Sequence, residues 1–115
     1  MSLEKSDRPW GNYEVLFEAA TYKVKTITVK PRARLSLQRH QRRAEHWFIV
    51  SGIALVTIGD QQFEKGANSA VDIAIGQLHR IENVGETDLI FIEVQSGSYF
   101  GEDDIERIED DFGRA

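Results

Sequence analysis

The stretch LSLQRHQRRAEHW, Leu35 to Trp47, brings Gln38, His40, Glu45 and His46 together among Arg39, Arg42 and Arg43. If LSLQRH is extended, alternate side chains share a face, so Ser36, Gln38 and His40 point one way and Leu35, Leu37 and Arg39 the other. The polar turn Gln41-Arg42-Arg43-Ala44 then leads into EHWFIV, in which Glu45, Trp47 and Ile49 share a face and His46 points away. A hairpin at this turn is expected to return Glu45 to the side of His40. Further on, IGQLHRIEN offers a turn at Gly76 and a third histidine, His79, at the head of the next strand. Gln38, His40, Glu45 and His79 make a mixed nitrogen and oxygen ligand set for one divalent ion, zinc first, with Mn, Fe, Co and Ni compatible. Taken singly, a histidine at a strand end is ordinarily a surface or hydrogen-bonded residue, and an arginine-rich turn is ordinarily solvated. The joint spacing carries the metal reading.

Such a set needs a rigid β-scaffold, and the rest of the chain is written as one. YKVKTITV (22–29), ARLSLQRH (33–40), EHWFIV (45–50), IALVTIGDQQFEK (53–65), SAVDIAI (69–75), LHRIEN (78–83) and LIFIEVQSG (89–97) are rich in β-branched and aromatic residues. Their period is two: Lys23, Lys25, Ile27 and Val29 fall on one face, as do Leu89, Phe91, Glu93 and Gln95. Gly59-Asp60 supplies a hairpin turn. About seven closely spaced strands predict an all-β sandwich or barrel. Only DDIERIEDDF (103–112) has helical spacing, through Ile105, Ile108 and Phe112, so a short helical or irregular tail is expected there.

Composition bounds the function. A chain of 115 residues, 41% apolar and 29% charged, predicts one soluble globular domain over residues 1–115. Cysteine is absent, which removes disulfides, thiolate ligands and a cysteine nucleophile and fits a reducing, cytoplasmic setting. No apolar run approaches the roughly 20 residues that cross a bilayer, so no membrane role is expected. The net charge of −5 argues against nucleic acid. The basic cluster Arg32, Arg34, Arg39, Arg42 and Arg43 suits either a small anionic ligand or the acidic tail GEDDIERIEDD.

The spacing resembles the two motifs of the cupin family. The first, G-x5-H-x-H-x3-4-E-x6-G, aligns on Arg32, Gln38, His40, Glu45 and Gly52. The second, G-x5-P-x-G-x2-H-x3-N, aligns on Asn68, Ala74, Gly76, His79 and Asn83. Gln38 stands where the family has its first histidine and can still ligate through its amide oxygen; Arg32 and Asn68 stand for glycines and Ala74 for proline.

Within the cupins, QRHQRRAEHW together with EVQSGSYFGEDDIERIEDDFGR is similar to the type II phosphomannose isomerase domain, over residues 8–114. That domain often forms the C-terminal part of a bifunctional mannose-1-phosphate guanylyltransferase, and only the isomerase part is expected in this chain. The resemblance implies a double-stranded β-helix, a jelly-roll barrel, with one divalent metal. It also implies interconversion of mannose 6-phosphate and fructose 6-phosphate, and a homodimer of the kind common among cupins. For the general base, Glu93 is the candidate if it faces the barrel; pairing with Lys23 or Lys25 is its alternative. Lys25, Arg43, Arg80 and Arg114 are candidates for the substrate phosphate, each with surface solvation or pairing to the tail as its alternative. Trp47 is expected in the core or as a wall of the sugar site, and Trp10 as an apolar anchor. A non-catalytic cupin that binds a sugar phosphate or nucleotide sugar as a regulatory module is the competing reading.

Overall fold

The computed structural model describes residues 4–114. Eleven strands form two antiparallel sheets, and among the described residues there is no helix. The larger sheet holds β1 (Glu4–Arg8), β2 (Gly11–Glu18), β3 (Tyr22–Val29), β10 (Leu89–Gly97), β5 (Arg43–Ser51) and β8 (Ala70–Ile73), hydrogen-bonded in the order β1-β2-β3-β10-β5-β8. The smaller holds β11 (Glu106–Glu109), β4 (Leu37–Arg39), β9 (His79–Asn83), β6 (Ala54–Ile58) and β7 (Gln61–Lys65), in the order β11-β4-β9-β6-β7. This is the expected all-β jelly roll.

The period-two pattern holds where it was clearest. Lys23, Lys25, Ile27 and Val29 are all buried on the inner face of β3, and Leu89, Phe91, Glu93 and Gln95 on that of β10. Register stacks these residues in rows across the sheet. One row runs Tyr13, Ile27, Phe91, Ile49; the next runs Val15, Lys25, Glu93, Trp47, Val71; the next runs Lys23, Gln95, Glu45, Ile73. The interior therefore changes from apolar to polar along the barrel axis. Its apolar end supplies the core, about 25 cal/mol for each Å² removed from water. The polar end can stay buried only if its groups pair.

Four elements differ from expectation. Residues 103–112 do not form a helix: Glu106–Glu109 add as edge strand β11 to β4, with Arg107 opposite Gln38. Ile108 and Phe112 remain exposed, so their helical spacing marked no buried face. In addition, GNYEVLFE and EKSDR are strands β2 and β1, and the segment 33–40 is regular only over Leu37–Arg39.

Arg32 and Asn68, the two residues at motif glycine positions, both have left-handed backbone, with φ of 67° and 69°. The turn geometry is thus kept by residues that strain to adopt it. Asparagine tolerates this region; arginine does not. Arg32→Gly should raise stability by about 0.5–1 kcal/mol in chemical denaturation, the relieved strain outweighing the extra freedom of glycine in the unfolded chain. Its ion pair with Glu86 at 3.6 Å lies between largely exposed side chains and offers little to lose.

Candidate metal centre

His40 follows the end of β4, Glu45 lies on β5 and His79 opens β9. Their ligand atoms all fall within 4.8 Å of one another and all three residues are buried. His40 Nε2 is 3.2 Å and His79 Nε2 3.8 Å from the two oxygens of Glu45. They do not meet through the expected hairpin. β4 belongs to the smaller sheet and β5 to the larger, so the contact is made face to face across the barrel. The turn before His79 is tied to this corner, because Gly76 N donates to the carbonyl of His40 at 2.7 Å.

Both imidazoles are oriented from behind. His40 Nδ1 lies 2.7 Å from the carbonyl oxygen of Asp104, and His79 Nδ1 lies 2.9 Å from that of Gln77. A carbonyl can only accept, so each Nδ1 carries a proton, and in the neutral ring it is Nε2, facing Glu45, that holds the free lone pair. That is the tautomer a metal-ligating histidine needs. Trp47 Nε1 donates to Glu45 Oε1 at 2.9 Å, so Trp47 anchors a ligand carboxylate as well as filling the core.

The charges suit a cation. Burial alone would push the Glu45 carboxyl up, but His79, Arg43 and His40 outweigh it and hold it at about 2. Burial, with Arg43 and His79, lowers His40, which keeps it in the neutral form that binds metal. His79 Nε2 is buried with no hydrogen-bond partner among the described residues. A buried acceptor of this kind costs about 1–3 kcal/mol unless something completes it. A divalent ion does so, and the residues present fit one.

Gln38 is the register partner of His79 in the β4–β9 ladder and lines the adjoining cavity. Arg43 lines the same cavity and stands between it and the triad. Its Nε donates to Glu45 Oε2 at 2.9 Å, its Nη2 to His40 Nε2 at 3.2 Å and its Nη1 to Glu102 at 3.3 Å. An ion at His40 Nε2 would take the place of the Nη2 contact, and Glu102 would still partner the guanidinium.

Glu93 also lines the cavity. Burial and the neighbouring Glu45 charge push its carboxyl up to about 8, against the pull of Lys25 and Arg43. It is not the partner of either strand lysine: Lys25 pairs with Glu102 at 3.4 Å and Lys23 with Glu18 at 3.7 Å. Gln95 Nε2 donates to Glu93 Oε1 at 2.5 Å.

The remaining candidates divide. Lys25 and Arg114 line the cavity, Lys25 with its Nζ 4.2 Å from the centre of the Tyr13 ring. Arg80 is engaged elsewhere, its Nε on the Leu35 carbonyl at 2.9 Å and its Nη atoms on Glu109 at 3.2 and 3.3 Å. His46 faces outward onto Asp72, and Trp10 is buried in the core. Much of the basic cluster meets the tail: Arg34 binds Asp111, Arg39 binds Glu106, Arg43 binds Glu102, and the Arg42 amide donates to Asp104. Sequence reasoning passed over Arg8 and Arg107, which also line the cavity. Arg107 was hidden by the helical reading of its segment.

The family model described as "Mannose-6-phosphate isomerase C-terminal" matches residues 2–110. The chain belongs to this mannose-6-phosphate isomerase C-terminal family, as cupin-type phosphomannose isomerase domains do. It is 55% identical over 107 residues to the alginate biosynthesis protein AlgA of Pseudomonas aeruginosa, covering 93% of this chain and 22% of that protein. It is 49% identical over 107 residues to the mannose-1-phosphate guanylyltransferase ManC of Salmonella typhimurium, again 93% of this chain and 22% of that protein. This domain thus spans about a fifth of the length of these curated relatives. In fold it is similar to the oxalate decarboxylase of Lactobacillus farciminis, with a TM-score of 0.80 at 22% identity, over 92% of this chain and 33% of that one. It is also similar to the capsular polysaccharide assembling protein CapF of Staphylococcus aureus, with a TM-score of 0.78 at 22% identity, over 92% and 34% of the two chains. No helix among the described residues is long and apolar enough to cross a membrane.

Proposed function

We propose that this domain is a metal-dependent aldose–ketose isomerase interconverting mannose 6-phosphate and fructose 6-phosphate. One divalent ion, zinc first, is held by His40, Glu45 and His79, with Gln38 as the fourth ligand. The observation that carries the reading is the buried, unpartnered His79 Nε2, aimed at a carboxylate that also faces His40. Membership of the family supports the substrate and the reaction.

The reaction moves a proton between C2 and C1. Loss of the C2 proton leaves an electron pair that becomes the C1–C2 double bond while the carbonyl π pair moves onto O1; the hydroxyl proton passes from O2 to O1, and return of the first proton to C1 re-forms the carbonyl at C2 and gives the ketose. When bound, a divalent ion supplies fixed positive charge that favours the developing oxyanion. Glu93 is the group that takes and returns the proton: it lines the cavity and its carboxyl sits at about 8, near working pH, where a group that both accepts and donates is most effective. Gln95 fixes the orientation of that carboxyl. Arg43, retained by Glu102, screens the charge of Glu45 from the substrate.

A coupled assay of this chain after loading with Zn, Mn, Co, Fe or Ni tests the proposal. At least one metal should give turnover of mannose 6-phosphate that a chelator abolishes. Binding of mannose 6-phosphate without turnover under any metal would replace the proposal with a regulatory binding module.

A further inference from the structure

Arg8, Arg107 and Arg114 line the same cavity as Gln38 and Glu93. Arg107 faces Gln38 across the β11–β4 ladder, and Gln38 faces His79 across the β4–β9 ladder. The three residues therefore share a face, in a row crossing three strands. Two strand spacings, about 10 Å, separate the backbones of Arg107 and His79.

Among the described residues, few carboxylates pair with these three arginines. Arg107 Nε is buried with no hydrogen-bond partner among the described residues. Among the described residues, Arg8 bonds uncharged groups: the Ser6 hydroxyl, the Asp7 carbonyl at 2.9 Å and the Tyr13 hydroxyl at 3.1 Å. Of the three, Arg114 has a direct carboxylate partner among the described residues, donating to Asp110 from Nε and Nη2, both at 2.8 Å. Burial first, then the charge of Arg114 and, more weakly, of Arg8, holds Arg107 below the usual arginine range, while Asp110 and Glu102 pull the other way. A half-buried guanidinium with an unpaired Nε, beside two other guanidiniums, carries a cost in the free protein. A bound anion would remove that cost.

We propose that Arg8, Arg107 and Arg114 form the subsite for the phosphate dianion of a phosphate monoester, with Arg107 as its central donor. Guanidinium forks match phosphate oxygens in bidentate geometry. A hexose 6-phosphate carries its reacting C1–C2 end and its phosphate at opposite ends, which suits a metal centre and an anion site separated along one face. The inference rests on the isomerase reading for the sugar, but not for the anion. It also moves the phosphate away from Arg43 and Arg80, whose donors are engaged by Glu45, Glu102, Leu35 and Glu109.

Calorimetric titrations of the full chain test it, with inorganic phosphate into metal-free protein and with mannose 6-phosphate into metal-loaded protein. Arg107→Met should weaken both by about 10- to 100-fold, with Arg107→Lys intermediate. Metal stoichiometry should not change, KM should rise more than kcat falls, and the thermal midpoint should hold or rise because a cation repelled by Arg114 and Arg8 is removed. Unchanged affinity for both ligands, or a lowered midpoint with unchanged affinity, would overturn the subsite. Arg107-dependent phosphate binding in a protein without turnover keeps the subsite and removes the isomerase reading. Turnover with an unchanged KM in Arg107→Met does the reverse.

Discussion

Replacing Glu93 by glutamine should lower kcat by about 10²- to 10⁴-fold while leaving the bound metal in place. The substitution keeps the size of the side chain and a hydrogen bond to Gln95, and removes only the exchangeable proton. Metal content should match the wild type, since Glu93 is not one of the converging ligands. The same variant should alter the pH dependence of stability in the metal-free protein. Folded Glu93 keeps its proton up to about pH 8, whereas the ordinary carboxyl loses it near 4.5, so the folded state binds more protons between these values. Stability therefore falls as pH rises from 4.5 through 8, and Glu93→Gln should flatten that slope. The groups acting on Glu93 are Glu45 and Arg43 from β5 and Lys25 from β3, with Gln95 beside it on β10. Glu45 works with opposite sign: its stabilisation is present above 4.5 and is lost as pH falls through about 2. Denaturant titrations at a series of pH values measure both.

His79→Ala should remove stoichiometric metal and cost activity about 10³-fold or more. With His79 gone, His40 and Glu45 keep their other partners, Asp104 and Arg43 for the first, Arg43 and Trp47 for the second. The triad then becomes an internal ion pair with no lone pair left over. Adding metal at about 100 times its dissociation constant should stabilise the wild type by about 2.7 kcal/mol and the variant not at all. A thermal shift with and without metal reads this directly. An equal shift in both proteins would show that the ion binds elsewhere.

How much of this was legible in the sequence depended on burial. Alternation is informative where one face is buried and the other is not, so the inner residues of β3, β5 and β10 could be assigned, and with them Glu45, Trp47 and Glu93. Strand parity also placed Gln38 and His40 on one face and turned His46 outward. Pairing partners were not legible, because a ladder is chosen by the whole barrel rather than by the turn between two strands. Hence His40 and Glu45 meet between sheets and not in a hairpin. Edge strands were the other blind spot. β1, with sequence EKSDR, and β11, with ERIE, are short, polar and mostly exposed, so their strand character comes from the open edges of β2 and β4. The basic cluster left two readings open, and the tail settled most of it through Arg34, Arg39 and Arg43.

On the proposed reading, one ion at His40, Glu45 and His79 makes this domain an isomerase. The most direct test of that reading is a titration of metal-stripped protein with zinc or the best-supporting metal, with bound metal and conversion of mannose 6-phosphate to fructose 6-phosphate followed on the same samples. The account predicts that activity rises in proportion to occupancy and saturates at one equivalent. Activity in the stripped protein equal to that of the loaded protein, or none at one bound equivalent, would contradict it.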